Sequence, residues 1–108
     1  MRITLIKNKM ISIKIHNSYR KVVAICDCNL IGKKFEQGNK QLDIRENFYK
    51  GEECNEEEAI KIIKRQAIED ACFNIVGKNS IEAALKAGII KKEGIHKLKG
   101  IPFAMTLL

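Results

Sequence analysis

The chain has 108 residues and a formal net charge of +7, from 20 basic and 13 acidic residues. This length suits one core, so we predict a single domain over residues 1–108. No segment approaches the roughly eighteen apolar residues of a membrane span, and lysines interrupt the N-terminal region where a signal peptide needs an unbroken apolar stretch. We therefore expect a cytoplasmic protein whose four cysteines are free thiols.

The charge is arranged in three blocks along the chain. Residues 1–50 carry eleven Lys/Arg against four Asp/Glu, residues 51–75 carry three against seven, and residues 76–108 carry six against two. Sixteen basic residues are lysine and eighteen residues are isoleucine, a composition that an AT-rich genome or a heat-adapted host gives to many of its proteins. The positive charge alone is therefore weak support for nucleic-acid binding.

The first half of the chain predicts short strands. Residues 10–15 alternate isoleucine with polar residues, which is the period of a half-buried strand. Residues 21–26 are β-branched and apolar, so the two runs predict a hairpin whose second strand is more deeply buried. Turn residues and apolar content predict three further elements: a turn or short helical piece at 27–35, a turn at 36–39 and a third strand at 40–44.

The acidic block predicts the start of a long helix. Asn55 suits the N-cap, and the three glutamates after it complement the positive end of the helix dipole. Apolar residues then recur every three or four positions as far as Ile75. We predict a helix over residues 56–76, with Gly77 as its left-handed stop.

The remaining chain predicts a shorter helix and two strands. Residues 81–87 form the helix, with Ser80 as its N-cap and Gly88 at its end. Residues 95–98 and 103–107 are the strands. The predicted fold class is α+β: an antiparallel or mixed sheet of about five short strands with one long and one short helix packed on one face.

Several short motifs, taken together, resemble a known family in their order and spacing. They are Cys26 and Asp27; Leu30 to Lys33 with Phe35; Phe48, Tyr49 and Gly51; Asn74 to Gly77; and Gly100 to Pro102 with Ala104. Over about residues 10–108 the chain resembles the small archaeal family known as domain of unknown function 424. The resemblance implies a stand-alone α+β domain with no established activity, and it supplies no catalytic residue.

The chain departs from that family in two places. Residues 1–9 precede the family's usual start, and we interpret them as an extension, an added strand or the product of a wrongly assigned start codon. Phe103 stands where the resemblance implies a histidine, so any site that such a histidine serves is in doubt here.

Lysines near turns and strand ends suggest a nucleic-acid surface. Lys33 and Lys34 follow Gly32, and Lys97 and Lys99 are predicted to share one strand face, which Lys14 joins if the two strands are neighbours. The leading hypothesis is a non-enzymatic binding module whose basic surface contacts the phosphates of RNA or of a ribonucleoprotein.

A second hypothesis is a weak divalent-cation site, because Ca²⁺ takes several carboxylate oxygens. The candidate ligands share their place around the predicted helix start: Glu52, Glu53, Glu56 and Glu57. Glutamates at a helix start more commonly stabilise the positive end of the helix dipole than bind a cation.

A third hypothesis is a small enzyme in which Asp27 and Asp43, both at strand ends, meet in one pocket. The chain lacks nucleotide-binding glycine motifs and nucleophile elbows, and its cysteine spacing matches no zinc site, so we predict no cofactor.

Overall fold

The computed structural model describes residues 9–106. Its strands are β1 (Ile11–His16), β2 (Val22–Asp27), β3 (Lys34–Gln37), β4 (Lys40–Asp43), β5 (Glu52–Cys54), β6 (Cys72–Val76), β7 (His96–Leu98) and β8 (Ile101–Thr106). Its helices are α1 (Glu46–Tyr49), α2 (Glu56–Ile68) and α3 (Lys78–Ala87), with short 3₁₀ turns at Cys28–Leu30 and Lys92–Gly94. The α+β prediction is confirmed, although this part of the chain has eight strands rather than about five. The predictions for residues 1–8 and for Leu107 lie outside the described residues.

Six strands form one mixed sheet in the order β5-β1-β2-β6-β8-β7. Only the β2–β6 pair is parallel, and the predicted β1–β2 hairpin is confirmed, with Ile13 opposite Ile25. Strands β3 and β4 form a separate two-stranded hairpin. Sequence reasoning missed β3, β5 and α1 because each has only three or four residues, too few for a period to emerge.

Both faces of the six-stranded sheet are covered. One face packs against α2 and α3, and we call it the helix side; its core includes Ile25, Phe73 and Ile75 of the sheet, Ile63 of α2 and Ala84 of α3. The other face, the hairpin side, packs Ala24, Cys26 and Val76 against Tyr49 of α1 and against Phe35 and Leu42 of the β3–β4 hairpin. Strand β2 is therefore buried on both faces, as its continuous apolar run predicts.

The predicted long helix is wrong in its second half. Its start is confirmed, because the Asn55 side chain accepts a 2.9 Å hydrogen bond from the Glu58 amide and the Glu58 carboxylate accepts a 3.1 Å bond from the Asn55 amide. However, α2 ends at Ile68, and residues 72–76 form β6. The apolar residues from Ala71 onward fit either period, and pairing with both β2 and β8 favours the extended form.

The second helix begins earlier than predicted. Gly77 is not a stop for α2 but the residue before α3, with φ of 110°, and Ser80 lies inside the first turn. Gly88 ends α3 in the left-handed conformation, as predicted. Within residues 9–106, no helix has the length and apolar character needed to cross a membrane.

Candidate nucleic-acid interface

The β3–β4 hairpin is built by a two-residue turn and anchored by two apolar side chains. Gln37 pairs with Lys40 across Gly38 and Asn39, and Gly38 takes a φ of 65°, as tight hairpin turns require. Phe35 and Leu42 are paired partners on one face of the hairpin and pack into the hairpin-side core. The polar side chains of the alternate positions therefore face outward.

The hairpin reaches the turn between β7 and β8. The backbone amide of Lys99 donates a 3.0 Å hydrogen bond to Oε1 of Gln37, and β3 and β4 both lie against β7. Lys99 and Gly100 form that turn, with φ values of 55° and 78°. Two segments distant in sequence, the β3–β4 hairpin and the β7–β8 turn, thus meet at one edge of the sheet.

This edge is rich in lysine. We call its exposed lysines the hairpin-edge surface: Lys33, Lys34, Lys40 and Lys99. Lys34 lies 3.8 Å from Glu36, and among residues 9–106 the other three make no ion pair. Across residues 33–43 and 91–99 together, seven lysines stand against three acidic residues. The surface therefore carries positive charge that the chain itself largely leaves unpaired.

Lys97 lies at the same edge but on the helix side. Lys97 pairs with Pro102, and the next pair along the strands, His96 and Phe103, lies on the hairpin side. Because successive side chains of a strand alternate between its faces, Lys97 faces the helix side. There it lines a groove of about 460 Å³ beside α3. The prediction that Lys97 and Lys99 share a strand face is wrong, because β7 ends at Leu98 and Lys99 belongs to the turn.

Lys14 is not part of this surface. Strands β1 and β7 are separated by β2, β6 and β8, so the condition for a joint surface is not met. The Lys14 ammonium instead donates a 2.7 Å hydrogen bond to the carbonyl of Asn47 in α1. Ser12 and His16, on the same face of β1 as Lys14, bond to further carbonyls of the same short helix. Lys14 therefore satisfies a carbonyl at the end of α1, away from the hairpin-edge surface.

Among residues 9–106, the acidic residues around the start of α2 are not gathered into a cluster of metal ligands. Glu52 and Glu53 are consecutive on β5 and so point to opposite faces, and Glu56 accepts a 2.9 Å hydrogen bond from Lys86. Glu57 lies in the first turn of α2, where its charge complements the helix dipole. In the described part of the chain, no three His, Cys, Asp or Glu side chains are gathered closely enough to hold a metal ion.

Asp27 and Asp43 lie on opposite sides of the sheet, which removes the basis for the enzyme hypothesis. Asp27 is buried and accepts bonds from the Ser80 amide at 2.8 Å, the Ser80 hydroxyl at 2.7 Å and the Asn79 amide at 3.1 Å. Asp43 lies in the hairpin and accepts a 3.0 Å bond from Arg45. Asp27 is thus a capping group for α3, supplied from a strand far away in sequence.

The close approach of Asp27 to α3 requires a glycine. A Cβ atom on Gly77 would lie 2.4 Å from the Asp27 carboxyl carbon, well inside van der Waals contact. This explains why Gly77 follows β6 directly.

All four cysteines are free thiols. Burial, followed by the nearby charge of Glu53, raises the pKa of Cys28 to about 11. Burial, followed by the charge of Glu58, raises the pKa of Cys54 to about 11, and burial raises the pKa of Cys26 further still. Thiols that hold their protons in this way are poor nucleophiles and poor metal ligands at neutral pH.

Sequence reasoning missed Lys40 as part of the hairpin-edge surface and Gln37 as the residue that bonds the Lys99 turn. The available signal was the Gly38, Asn39 pair between Phe35 and Leu42, which is a hairpin pattern. We predicted a turn at residues 36–39 followed by a strand at 40–44. That prediction left out β3, the strand that pairs with β4, and so gave no position for Lys40 in a hairpin.

Comparisons with known proteins agree with this fold. The chain belongs to the family described as "Protein of unknown function (DUF424)", whose model matches residues 15–107, and this confirms the resemblance found in the sequence. A solved structure, "Crystal structure of an uncharacterized conserved protein from Methanopyrus kandleri", is similar at 25% identity and a TM-score of 0.82, covering 90% of each chain. A comparison with curated proteins finds no match.

Proposed function

We propose that the chain is a non-enzymatic binding module that contacts the phosphate backbone of RNA or of a ribonucleoprotein in the cytoplasm. The observation that supports the proposal is the bond between the Lys99 amide and Gln37, which brings the β7–β8 turn to the end of the hairpin where Lys40 lies, with Lys34 three residues further along β3. Four exposed lysines with one ion pair among them produce a positive potential that a polyanion such as RNA complements.

The composition of the surface favours backbone contacts over base recognition. Base recognition in single strands uses exposed aromatic rings on which bases stack. The exposed ring near this edge is His96, which is tilted against Phe103 at a centroid distance of 5.7 Å. We therefore propose recognition of RNA charge and shape, with weak sequence preference.

The salt dependence of binding is the direct test. If all four lysines of the hairpin-edge surface contact phosphates, log K against log salt for a single-stranded RNA has a slope of about −3. We expect fluorescence anisotropy with a labelled RNA, at about 50 to 200 mM salt, to give that value.

A matched pair of variants separates this surface from general charge. Lys33→Glu with Lys34→Glu reverses two charges on the surface, and Lys61→Glu with Lys64→Glu reverses two exposed charges on α2. Both variants have the same net charge, so equal long-range attraction is expected. The first should lose at least half of the slope, while the second keeps it. Equal losses in both, or negligible binding of the wild type at low salt, would refute the proposal.

Lys99→Asn separates binding from folding. Its φ of 55° suits asparagine better than lysine, so the variant should fold at least as stably as the wild type. It removes one charge of the surface, and we expect the slope to shrink by about 0.7. Weaker RNA binding in a fully folded variant would support a direct contact by Lys99, and an unchanged slope would exclude it.

A further inference from the structure

A groove lies on the helix side of the sheet, between α3 and the strand at the sheet edge. Helix α3 packs over β2, β6 and β8, and β7 extends the sheet beyond β8. Lys97 of β7 and Pro102 of β8 are paired and face the helix side, where Ile95 also packs. These residues form one wall of the groove, whose volume of about 460 Å³ is common among ligand sites.

The other wall is one face of α3. Its residues are three or four positions apart, so they lie above one another on the helix: Lys78, Ile81, Glu82 and Leu85. The aliphatic side chains of both walls are buried or half-buried, whereas the two lysines and the glutamate are exposed. The groove therefore has an apolar floor and a charged rim.

The rim is basic. Lys78 and Lys97 make no ion pair within residues 9–106, and they stand against one acidic residue of the lining, Glu82. An apolar floor beneath such a rim suits a ligand that combines a flat apolar part with an anionic part.

The groove adjoins the hairpin-edge surface. Gly100 lines the groove, and it follows Lys99, whose amide bonds to Gln37 of the hairpin. A polyanion that lies along the lysines of the hairpin and crosses the β7–β8 turn therefore reaches the groove directly. This continuity favours a nucleic-acid ligand over an unrelated small molecule.

We propose that the groove holds one unstacked nucleotide of a single-stranded RNA, an inference that rests on the proposed function. The faces of the base pack on Leu85, Ile95 and Pro102, since apolar side chains hold extruded bases as aromatic ones do. The lysines bind the flanking phosphates, and the Glu82 carboxylate accepts a hydrogen bond from an N–H group of the base. Every base has a flat face, so the sequence preference stays weak. A duplex keeps its bases stacked and paired, so it contacts the rim alone.

The first test compares UMP with ribose 5-phosphate, which has the same sugar and phosphate but no base. In ¹⁵N-HSQC spectra of the full chain, UMP at about 1 to 5 mM should shift the amides of Leu85, Ile95 and Gly100. Ribose 5-phosphate should bind at least about fivefold more weakly, because it lacks the apolar contact with the floor.

A matched pair of variants locates the phosphate. Lys97→Gln removes one charge of the rim and should weaken UMP binding about threefold. Lys64→Gln removes an exposed lysine of α2 and should leave the affinity for UMP unchanged. Both substitutions are on exposed side chains, so both variants should fold.

The second test uses RNA and a variant of the floor. Leu85→Gln leaves the net charge unchanged, so the salt slope for a ten-nucleotide uridine strand should stay as in the wild type. The ratio of its affinity for that strand to its affinity for a ten-base-pair RNA duplex should fall about threefold or more, because only the single strand places a base on the floor.

The outcomes separate this inference from the proposed function. Equal binding of UMP and ribose 5-phosphate overturns the inference, as does an unchanged affinity ratio in Leu85→Gln, and in both cases the salt slope can still support the proposed function. Negligible RNA binding at low salt refutes the proposed function. UMP binding in the groove would then assign the groove to a free nucleotide and overturn the inference of an RNA strand.

Discussion

Replacing Asp27 with alanine should remove a large part of the stability of the fold. Its buried carboxylate accepts three hydrogen bonds from the first turn of α3, two from backbone amides and one from the Ser80 hydroxyl. Bonds to a charged acceptor contribute about 1.5 to 3 kcal/mol each, less the cost of keeping the carboxylate out of water. Because the variant leaves buried donors without an acceptor, we expect a loss of about 3 to 5 kcal/mol.

Urea unfolding followed by far-UV circular dichroism measures this loss, since the chain has no tryptophan. Ser80→Ala is the control, because it removes the hydroxyl bond alone and should cost about 1 to 2 kcal/mol. In the double variant the two losses should not add, because the residues share one bond. An Asp27→Ala variant within 1 kcal/mol of the wild type would show that the carboxylate does not stabilise α3 and would refute the capping argument.

Three further predictions concern a tight backbone contact, a buried amide and two buried thiols. In Gly51→Ala the new Cβ would lie 2.2 Å from the Ile13 carbonyl oxygen, so thermal unfolding should show a loss of about 2 kcal/mol or more. Gln66→Met should raise stability to urea by about 1 kcal/mol, because the buried Gln66 Oε1 has no partner in residues 9–106. Burial raises the pKa of the Cys26 and Cys54 thiols in the folded protein, so these thiols lose their protons at lower pH in the unfolded chain. The free energy of unfolding should therefore stay level to about pH 8 and then fall by about 1 to 2 kcal/mol per thiol by pH 10.

Each of these predictions has a control variant or an outcome that would contradict it. Gly94→Ala is the control for Gly51, since a Cβ at Gly94 would contact nothing within 4 Å, and equal effects would contradict the clash. For Gln66, a loss of stability in the methionine variant would mean that its amide oxygen has a partner. For the thiols, Cys54→Ser should reduce the fall above pH 8, and an unchanged fall would assign it to other groups.

The sequence predicted the elements whose signals are local. The isoleucine alternation of β1 identified a strand, and Asn55 identified the start of α2 to the residue. Gly88 identified the end of α3 in the same way. Each of these features depends on the chemistry of a few consecutive residues. That chemistry acts in the same way in any fold, so these features can be predicted from the sequence.

The segment from residue 69 to residue 77 was decided by distant partners. Its apolar spacing continues the helical stripe of α2, yet residues 72–76 complete the sheet between β2 and β8. Pairing on both edges satisfies every backbone group of a buried strand, and no local pattern reports whether such partners exist. The same holds for the capping of α3, where Ser80 was the local candidate and Asp27 is the actual group.

The same distinction between local and long-range information applies to the candidate site. The sequence by itself determined that the chain is basic, that Lys33 and Lys34 follow a glycine turn, and that an α+β fold of the domain of unknown function 424 family was to be expected. Only the tertiary structure decided that Lys40 and Lys99 meet at one edge while Lys14 lies across the sheet in contact with α1. The physical reason is that convergence of side chains depends on strand order, and strand order follows from long-range burial on both faces of the sheet, which no short stretch of sequence encodes.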